Sequence, residues 1–117
     1  MPLLHFVETT PFTKKIDGTG GMELLYAIQN ELLENPARGD TVAGTGGTRK
    51  ARIADPARGK GKRGGFRYIY YYFKEVQVIY LLILYGKDEQ DDLTAEQKRI
   101  IKGFVEKAQK NIKELYG

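Results

Sequence analysis

The sequence predicts an α+β domain in which helices pack against a small antiparallel sheet of about four strands. Two helical patterns lie toward the two ends of the chain, and three consecutive strand patterns lie between them. The chain has 117 residues, of which 41% are hydrophobic and 29% are charged. This length and balance predict a single domain over residues 1–117 with one hydrophobic core.

The first half of the chain predicts a strand, a helix and a loop. A strand is expected over residues 3–8, stopped by Pro11. Leucine and isoleucine recur at helical spacing over residues 20–35, and Pro36 ends this helix. Glycine and threonine dominate residues 39–48, which predicts a loop or turn.

The second half predicts the rest of the sheet and a terminal helix. Aromatic and β-branched residues predict strands over residues 48–54, 66–73 and 76–85. The last two are expected to form a hairpin, and residues 59–65 are expected to form a flexible loop. An apolar stripe over residues 94–115 predicts a helix, for which Asp92 or Thr94 could be the N-cap.

Composition excludes several classes of function. The chain has no cysteine, which excludes disulfides and thiolate zinc sites, and its lone histidine, His5, has no second ligand nearby in sequence. We therefore expect no metal ion and no other cofactor. The longest apolar run, residues 78–85, is far shorter than the roughly 20 residues of a membrane helix. Without an apolar leader either, the chain is expected to be cytoplasmic.

Positive charge is concentrated in one segment. Residues 49–67 hold eight of the nineteen Lys and Arg and a single acid, Asp55. The eight cations are Arg49, Lys50, Arg52, Arg58, Lys60, Lys62, Arg63 and Arg67. Because clustered Lys and Arg most often bind phosphates, this segment predicts a site for a polyanion, most plausibly nucleic acid.

Strand geometry sharpens this prediction. Side chains alternate along a strand, so Lys50 and Arg52 are expected on one face of the sheet. In the next strand Arg67 shares its face with Ile69 and Tyr71, and antiparallel pairing can bring it beside the first two cations. The loop over residues 59–65 would lie at the rim. The alternative is a solvated face whose charges serve solubility.

Two glycine-rich segments are similar to nucleotide-binding motifs but lack features that those motifs require. Gly59, Gly61 and Gly64 spell G-x-G-x-x-G, but a dinucleotide site needs a helix after that turn, and here a strand is expected. Residues 44–50 combine glycines with a lysine but lack the Gly-Lys-Ser/Thr ending of a phosphate-binding P-loop.

Three runs of sequence carry a resemblance to a known family. They are TRKARI at 48–53, GKGKRGGFRYIYYY at 59–72, and LYGKDE at 84–89 followed by DLT at 92–94. Together they resemble toxins of the RelE/ParE superfamily, most of all the HigB-type branch of bacterial type II toxin-antitoxin systems. The resemblance implies a RelE-like toxin that cuts mRNA at the ribosome, without a cofactor, and that is held inactive by a cognate antitoxin protein.

The resemblance also implies site residues. Lys50 and Arg52 match the two basic strand residues of the family motif, and Arg67 matches the arginine after its Gly-aromatic pair. Lys50 is expected to be the general base or its assistant, with Arg52 and Arg67 as phosphate clamps. Tyr71 is included as a catalytic candidate, with Tyr85 as the alternative for acid–base chemistry. Contacts to RNA are expected from Arg49, Lys60, Lys62, Arg63 and Lys87.

Two departures from the family pattern leave the general acid and base unassigned. A position that often holds another arginine is Asp88 here, and a tyrosine used by some relatives is replaced by Leu93 or Thr94. Two other functions therefore stay open: a ParE-like gyrase inhibitor and an RNA-binding module without catalytic activity.

Overall fold

The structure, a computed structural model, describes residues 3–55 and 65–116. Its elements are β1 (His5–Glu8), α1 (Thr10–Asp17), α2 (Gly21–Glu34), β2 (Asp40–Thr41), β3 (Arg49–Ile53), β4 (Phe66–Phe73), β5 (Val78–Gly86) and α3 (Ala95–Tyr116). A single 3-10 turn, Lys74–Val76, joins β4 to β5. The predicted α+β class is confirmed, as is the hairpin of the last two long strands.

The sheet has five strands in the order β1-β5-β4-β3-β2. The strands from β2 to β5 pair antiparallel, whereas β1 pairs parallel to β5, so the sheet is mixed rather than wholly antiparallel. The short β2 lies inside the predicted loop, residues 39–48. Neither feature has a local signal, because two residues make no strand pattern and the β1–β5 pairing joins distant parts of the chain.

Helix α1 was not predicted, because Pro11 was interpreted as the end of a strand. It instead lies in the first turn of a helix, where proline is favoured because its missing N–H would be unpaired there anyway. Thr9 is the N-cap: its hydroxyl accepts a hydrogen bond from the Phe12 N–H (3.3 Å) and donates one to the Leu82 carbonyl (2.7 Å). The buried Phe12 and Ile16 then fix α1 on the sheet.

The sheet separates two hydrophobic cores. On one face the strands pack against α1 and α2, through residues that include Tyr68, Tyr70, Leu81 and Leu84. On the other face the sheet contacts α3 and the segment before it, through Ile69, Leu82, Tyr85, Leu93, Ile101 and Val105. The alternation along β4 therefore assigns successive side chains to different cores.

The loop between β2 and β3 supports α3. Gly44, Gly46 and Gly47 have φ values of 78°, 78° and 108°, which L side chains rarely adopt. A Cβ atom on Gly46 would lie 3.2 Å from the Val105 side chain, so the glycine also allows α3 to approach closely. The glycine-rich segment that is not a P-loop thus has a packing role.

The N-cap of α3 is Thr94, one of the two residues that the sequence allowed. The Thr94 hydroxyl accepts a hydrogen bond from the Gln97 N–H (3.1 Å), and the Gln97 side chain accepts one from the Thr94 N–H (3.0 Å). This reciprocal pair is a capping box, which fixes where the helix begins. Within the described residues, no helix is long and apolar enough to cross a membrane.

We predict that Tyr70→Phe destabilises the fold by about 1–3 kcal/mol, because buried polar groups lose their partners. The Tyr70 hydroxyl donates to the Pro36 carbonyl (2.8 Å) and accepts from the Gly39 N–H (3.1 Å). Urea unfolding measures the change. Tyr26→Phe on the exposed side of α2 is the control and should stay within about 0.5 kcal/mol of wild type. Equal effects of the two variants would contradict the assignment.

Candidate functional site

The register between β3 and β4 brings two arginines together. Arg52 lies directly opposite Arg67, a register that the sequence allowed but did not specify. The Arg52 side chain is exposed, whereas Arg67 is only 6% exposed and its guanidinium donates to its own strand at the Phe66 carbonyl (3.4 Å). The pair therefore presents one solvent-facing guanidinium beside one that the fold holds in place.

Tyr85 is the neighbour of Arg67 on the other side of β4. The two residues are register partners in the β4–β5 ladder, and Tyr85 is 2% exposed. Its hydroxyl has no hydrogen-bond partner among the described residues. Burial, and then the charge of Asp92, raises the pKa of the Tyr85 phenol, while Arg67 acts in the opposite direction. The phenol is therefore neutral at physiological pH and can donate a hydrogen bond or a proton.

Lys50 lies two residues before Arg52 in β3, opposite Ile69. Its ammonium group is 3.5 Å from a carboxylate oxygen of Asp92, in the segment before α3. Asp40 is its register partner in β2, on the other side. The sequence suggested that Asp55 was the only acid among these cations. The fold adds two more from distant parts of the chain, which sequence separation concealed.

Asp92 is held as an anion. The Leu93 N–H donates to its carboxylate (2.8 Å), and this hydrogen bond, followed by the charge of Lys50, keeps the pKa of Asp92 below its usual range. A carboxylate this readily ionised is a poor proton donor near neutral pH. Its role next to Lys50 is therefore electrostatic.

Arg49, a predicted RNA contact, lies on the opposite face of β3 from Lys50 and Arg52 and does not join this group. Its guanidinium donates to the carbonyls of Ala37 (3.2 Å) and Gly39 (2.7 Å), and so it holds the chain between α2 and β2. The reason is strand parity: Arg49 alternates with Lys50 and shares a face with Ala51, which packs on the α1 and α2 side. Grouping residues by charge alone had hidden this.

The remaining predicted residues lie in different places. Tyr71 is four residues along β4 from Arg67, a separation of about 13 Å, and its hydroxyl accepts a hydrogen bond from Gln109 of α3 (2.8 Å). Lys87 is exposed in the turn after β5, where its N–H donates to the Gly65 carbonyl (3.2 Å), at the Arg67 end of the sheet. The predicted contacts Lys60, Lys62 and Arg63 lie outside the described residues.

The site is thus built from Lys50, Arg52, Arg67, Tyr85 and Asp92, at the end of the sheet where β3 and β5 finish. Such a set can bind a phosphate group through two guanidinium groups and an ammonium group. In the described part of the chain, no group of three or more His, Asp or Glu residues could hold a metal ion. The chemistry available to these side chains is charge stabilisation and proton donation.

Comparison with known proteins supports the fold but assigns no family. No family model matches the sequence. The structure is similar to that of a double arginine-to-alanine variant of the toxin RelE from E. coli, solved in the free state, with a TM-score of 0.56. The two sequences are 16% identical, and the alignment covers 77% of this chain and 90% of that one. The chain therefore has a RelE-like fold.

We predict that Tyr85→Phe leaves the free energy of unfolding unchanged or raises it, by up to about 1 kcal/mol. The change removes a buried hydroxyl without disturbing a hydrogen bond among the described residues. The free energy of unfolding is measured in urea for Tyr85→Phe and Tyr70→Phe side by side. The two variants are comparable because each removes one phenolic oxygen from a buried tyrosine. A clear loss of stability in Tyr85→Phe would show that the hydroxyl has a structural partner.

Proposed function

We propose that this chain, on its RelE-like fold, is the toxin of a type II toxin-antitoxin system and acts as a ribosome-dependent mRNA endoribonuclease of the HigB type. The observation that carries the proposal is the cross-strand pairing of Arg52 with the buried Arg67, with Lys50 and Tyr85 as their neighbours in the sheet. A sheet face with these groups can hold a phosphodiester and stabilise added negative charge on it.

The proposed reaction uses the 2′-hydroxyl of the RNA as nucleophile. It attacks the adjacent phosphorus while its own proton passes to water, and the P–O5′ bond breaks to leave a 2′,3′-cyclic phosphate as a second proton passes to the departing 5′-oxygen. The pentacoordinate phosphorane carries more negative charge than the substrate. Arg67 is suited to stabilise it, because a guanidinium held by burial needs little reorganisation. Exposed Arg52 and half-buried Lys50 then bind the backbone phosphates.

Tyr85 is the better candidate for the proton donor than Tyr71. Tyr85 is the cross-strand neighbour of Arg67, and its neutral hydroxyl has no hydrogen-bond partner among the described residues. Tyr71 lies about 13 Å from Arg67 along β4, and its hydroxyl accepts a hydrogen bond from Gln109. Lys50 already faces an anion in the structure, since its ammonium group lies 3.5 Å from a carboxylate oxygen of Asp92. This favours Lys50 as a phosphate ligand over its expected role as general base.

The partners of this function are mRNA on the ribosome and a cognate antitoxin protein. Lys87 lies at the same end of the sheet as the site, which supports its contact with RNA. Lys60, Lys62 and Arg63 remain proposed RNA contacts from the sequence. Arg49 is not proposed as one, because carbonyl groups of the fold occupy its guanidinium.

We predict that Arg52→Ala lowers mRNA cleavage by about 100-fold, because the guanidinium is expected to bind the phosphate. Stability should change little, because the side chain is exposed. The chain is expressed under tight control and mRNA ends are mapped in translating cells. The control is Lys74→Ala, an exposed cation at the opposite end of β4, which removes the same charge and should leave cleavage unchanged. Arg67→Ala, checked for folding, should abolish cleavage, and Arg67→Lys tests whether charge alone suffices.

The other outcomes identify the rival functions. Cuts within translated frames that vanish in Arg52→Ala support the nuclease. Growth arrest without such cuts would indicate a different target, such as gyrase. RNA binding without either effect would indicate an RNA-binding module. Wild-type cleavage by folded Arg52→Ala and Arg67→Ala would overturn the site.

We predict that Tyr85→Phe lowers the cleavage rate by about 10² to 10⁴, the usual contribution of a positioned proton donor. The measurement is single-turnover cleavage of mRNA on programmed ribosomes. Tyr71→Phe serves as the matched control, because it removes the same atom on the same face of β4 away from Arg67. A larger loss in Tyr71→Phe than in Tyr85→Phe would return the catalytic role to Tyr71.

A further inference from the structure

We propose that Asp92 is an intramolecular competitor for phosphate at Lys50, so that the site favours a polyanion that displaces this carboxylate over a small anion. The inference rests on the proposed function of the site and adds a determinant of its selectivity. Its basis is the Lys50–Asp92 ion pair, in which an anion of the protein itself occupies the ammonium group that would otherwise meet the substrate.

The placement of Asp92 is built into the fold. The Leu93 N–H donates to its carboxylate, and Leu93 is itself buried in the core under α3. The backbone carbonyl of Asp92 accepts a hydrogen bond from the Gln90 side chain (2.8 Å), which also donates to the Gln97 side chain (2.9 Å) in the capping box of α3. These hydrogen bonds therefore fix the position of the Asp92 carboxylate next to Lys50.

The same ion pair is weak enough to be displaced. The two atoms are 3.5 Å apart, and the side chains of Lys50 and Asp92 are 33% and 56% exposed. Ion pairs with this much solvent contact contribute little to stability. An RNA phosphate can bind Arg52 as well as Lys50, whereas an anion that meets Lys50 alone gains no second contact to compensate for losing Asp92. The contact thus disfavours stray anions more than the substrate.

The test compares Asp92→Asn with Asp91→Asn. Both remove one negative charge from adjacent positions, but Asp91 is exposed and no ion pair of the described residues includes it. Asparagine at 92 can still accept the Leu93 N–H, so the segment should keep its geometry. The probe is a short 2′-O-methyl RNA, which lacks the free 2′-hydroxyl and cannot be cleaved. Its affinity is measured at several salt concentrations.

We expect Asp92→Asn to bind the probe about threefold more tightly than wild type, with a salt slope steeper by about 0.7, because one more phosphate contact forms without first displacing a carboxylate. Asp91→Asn should give a smaller increase and no change in slope. In a Lys50→Met background the effect of Asp92→Asn should fall to that of Asp91→Asn, because the lysine for which the Asp92 carboxylate and the RNA phosphate compete is absent.

Different results would overturn the competitor role of Asp92 and the proposed phosphate site. Equal effects of Asp92→Asn and Asp91→Asn, or an effect of Asp92→Asn that persists without Lys50, would overturn the competitor role and indicate general repulsion by charge. If Lys50→Met and Arg52→Ala both bind the probe as wild type does, the phosphate site itself is wrong, and the competitor role falls with it.

Discussion

The site depends on the alternation of side chains along β4. Tyr68 and Tyr70 must face α1 and α2, because their rings fill that core and their hydroxyls bond Glu31 (3.0 Å) and Pro36 (2.8 Å). Arg67 must then face the other way. A slip of one residue would bury a different set of side chains on each face, so the core that fixes the register also fixes the arginine. The position of the charge is a consequence of packing.

A β-bulge in β5 decides which residue lies beside Arg67. Tyr70 pairs with Leu81 and Ile69 with Ile83, so one extra residue, Leu82, enters the strand between them. With strict alternation from Leu81, Leu84 would face the site and Tyr85 would face α1 and α2. The bulge reverses this and places Tyr85 on the same face as Arg67, as its cross-strand neighbour. Bulges often re-aim a side chain in this way near functional sites.

Local patterns predicted the parts of the fold that depend on local chemistry. The strands around Lys50 and Arg67 and the helix after Thr94 follow from residue type and spacing. Strand parity placed Lys50 and Arg52 on one face, whereas the register that sets Arg52 opposite Arg67 was not specified by the sequence. Strand parity also predicts that Arg49 lies on the face opposite Lys50, but Arg49 had been grouped with the other cations by its charge alone. The bulge at Leu82 and the β1–β5 pairing depend on contacts between distant residues, and no local pattern predicts them.

The fold resolves the repulsion among three neighbouring cations in three different ways. Arg52 remains in solvent, where water screens its charge. Lys50 is paired with Asp92, which comes from the segment that begins α3. Arg67 is buried and donates to the Phe66 carbonyl of its own strand. Only the first is open to a ligand at no cost, and Lys50 becomes available when its carboxylate is displaced. A phosphate group that can approach all three gains from each, so the arrangement favours an extended polyanion over a single small anion.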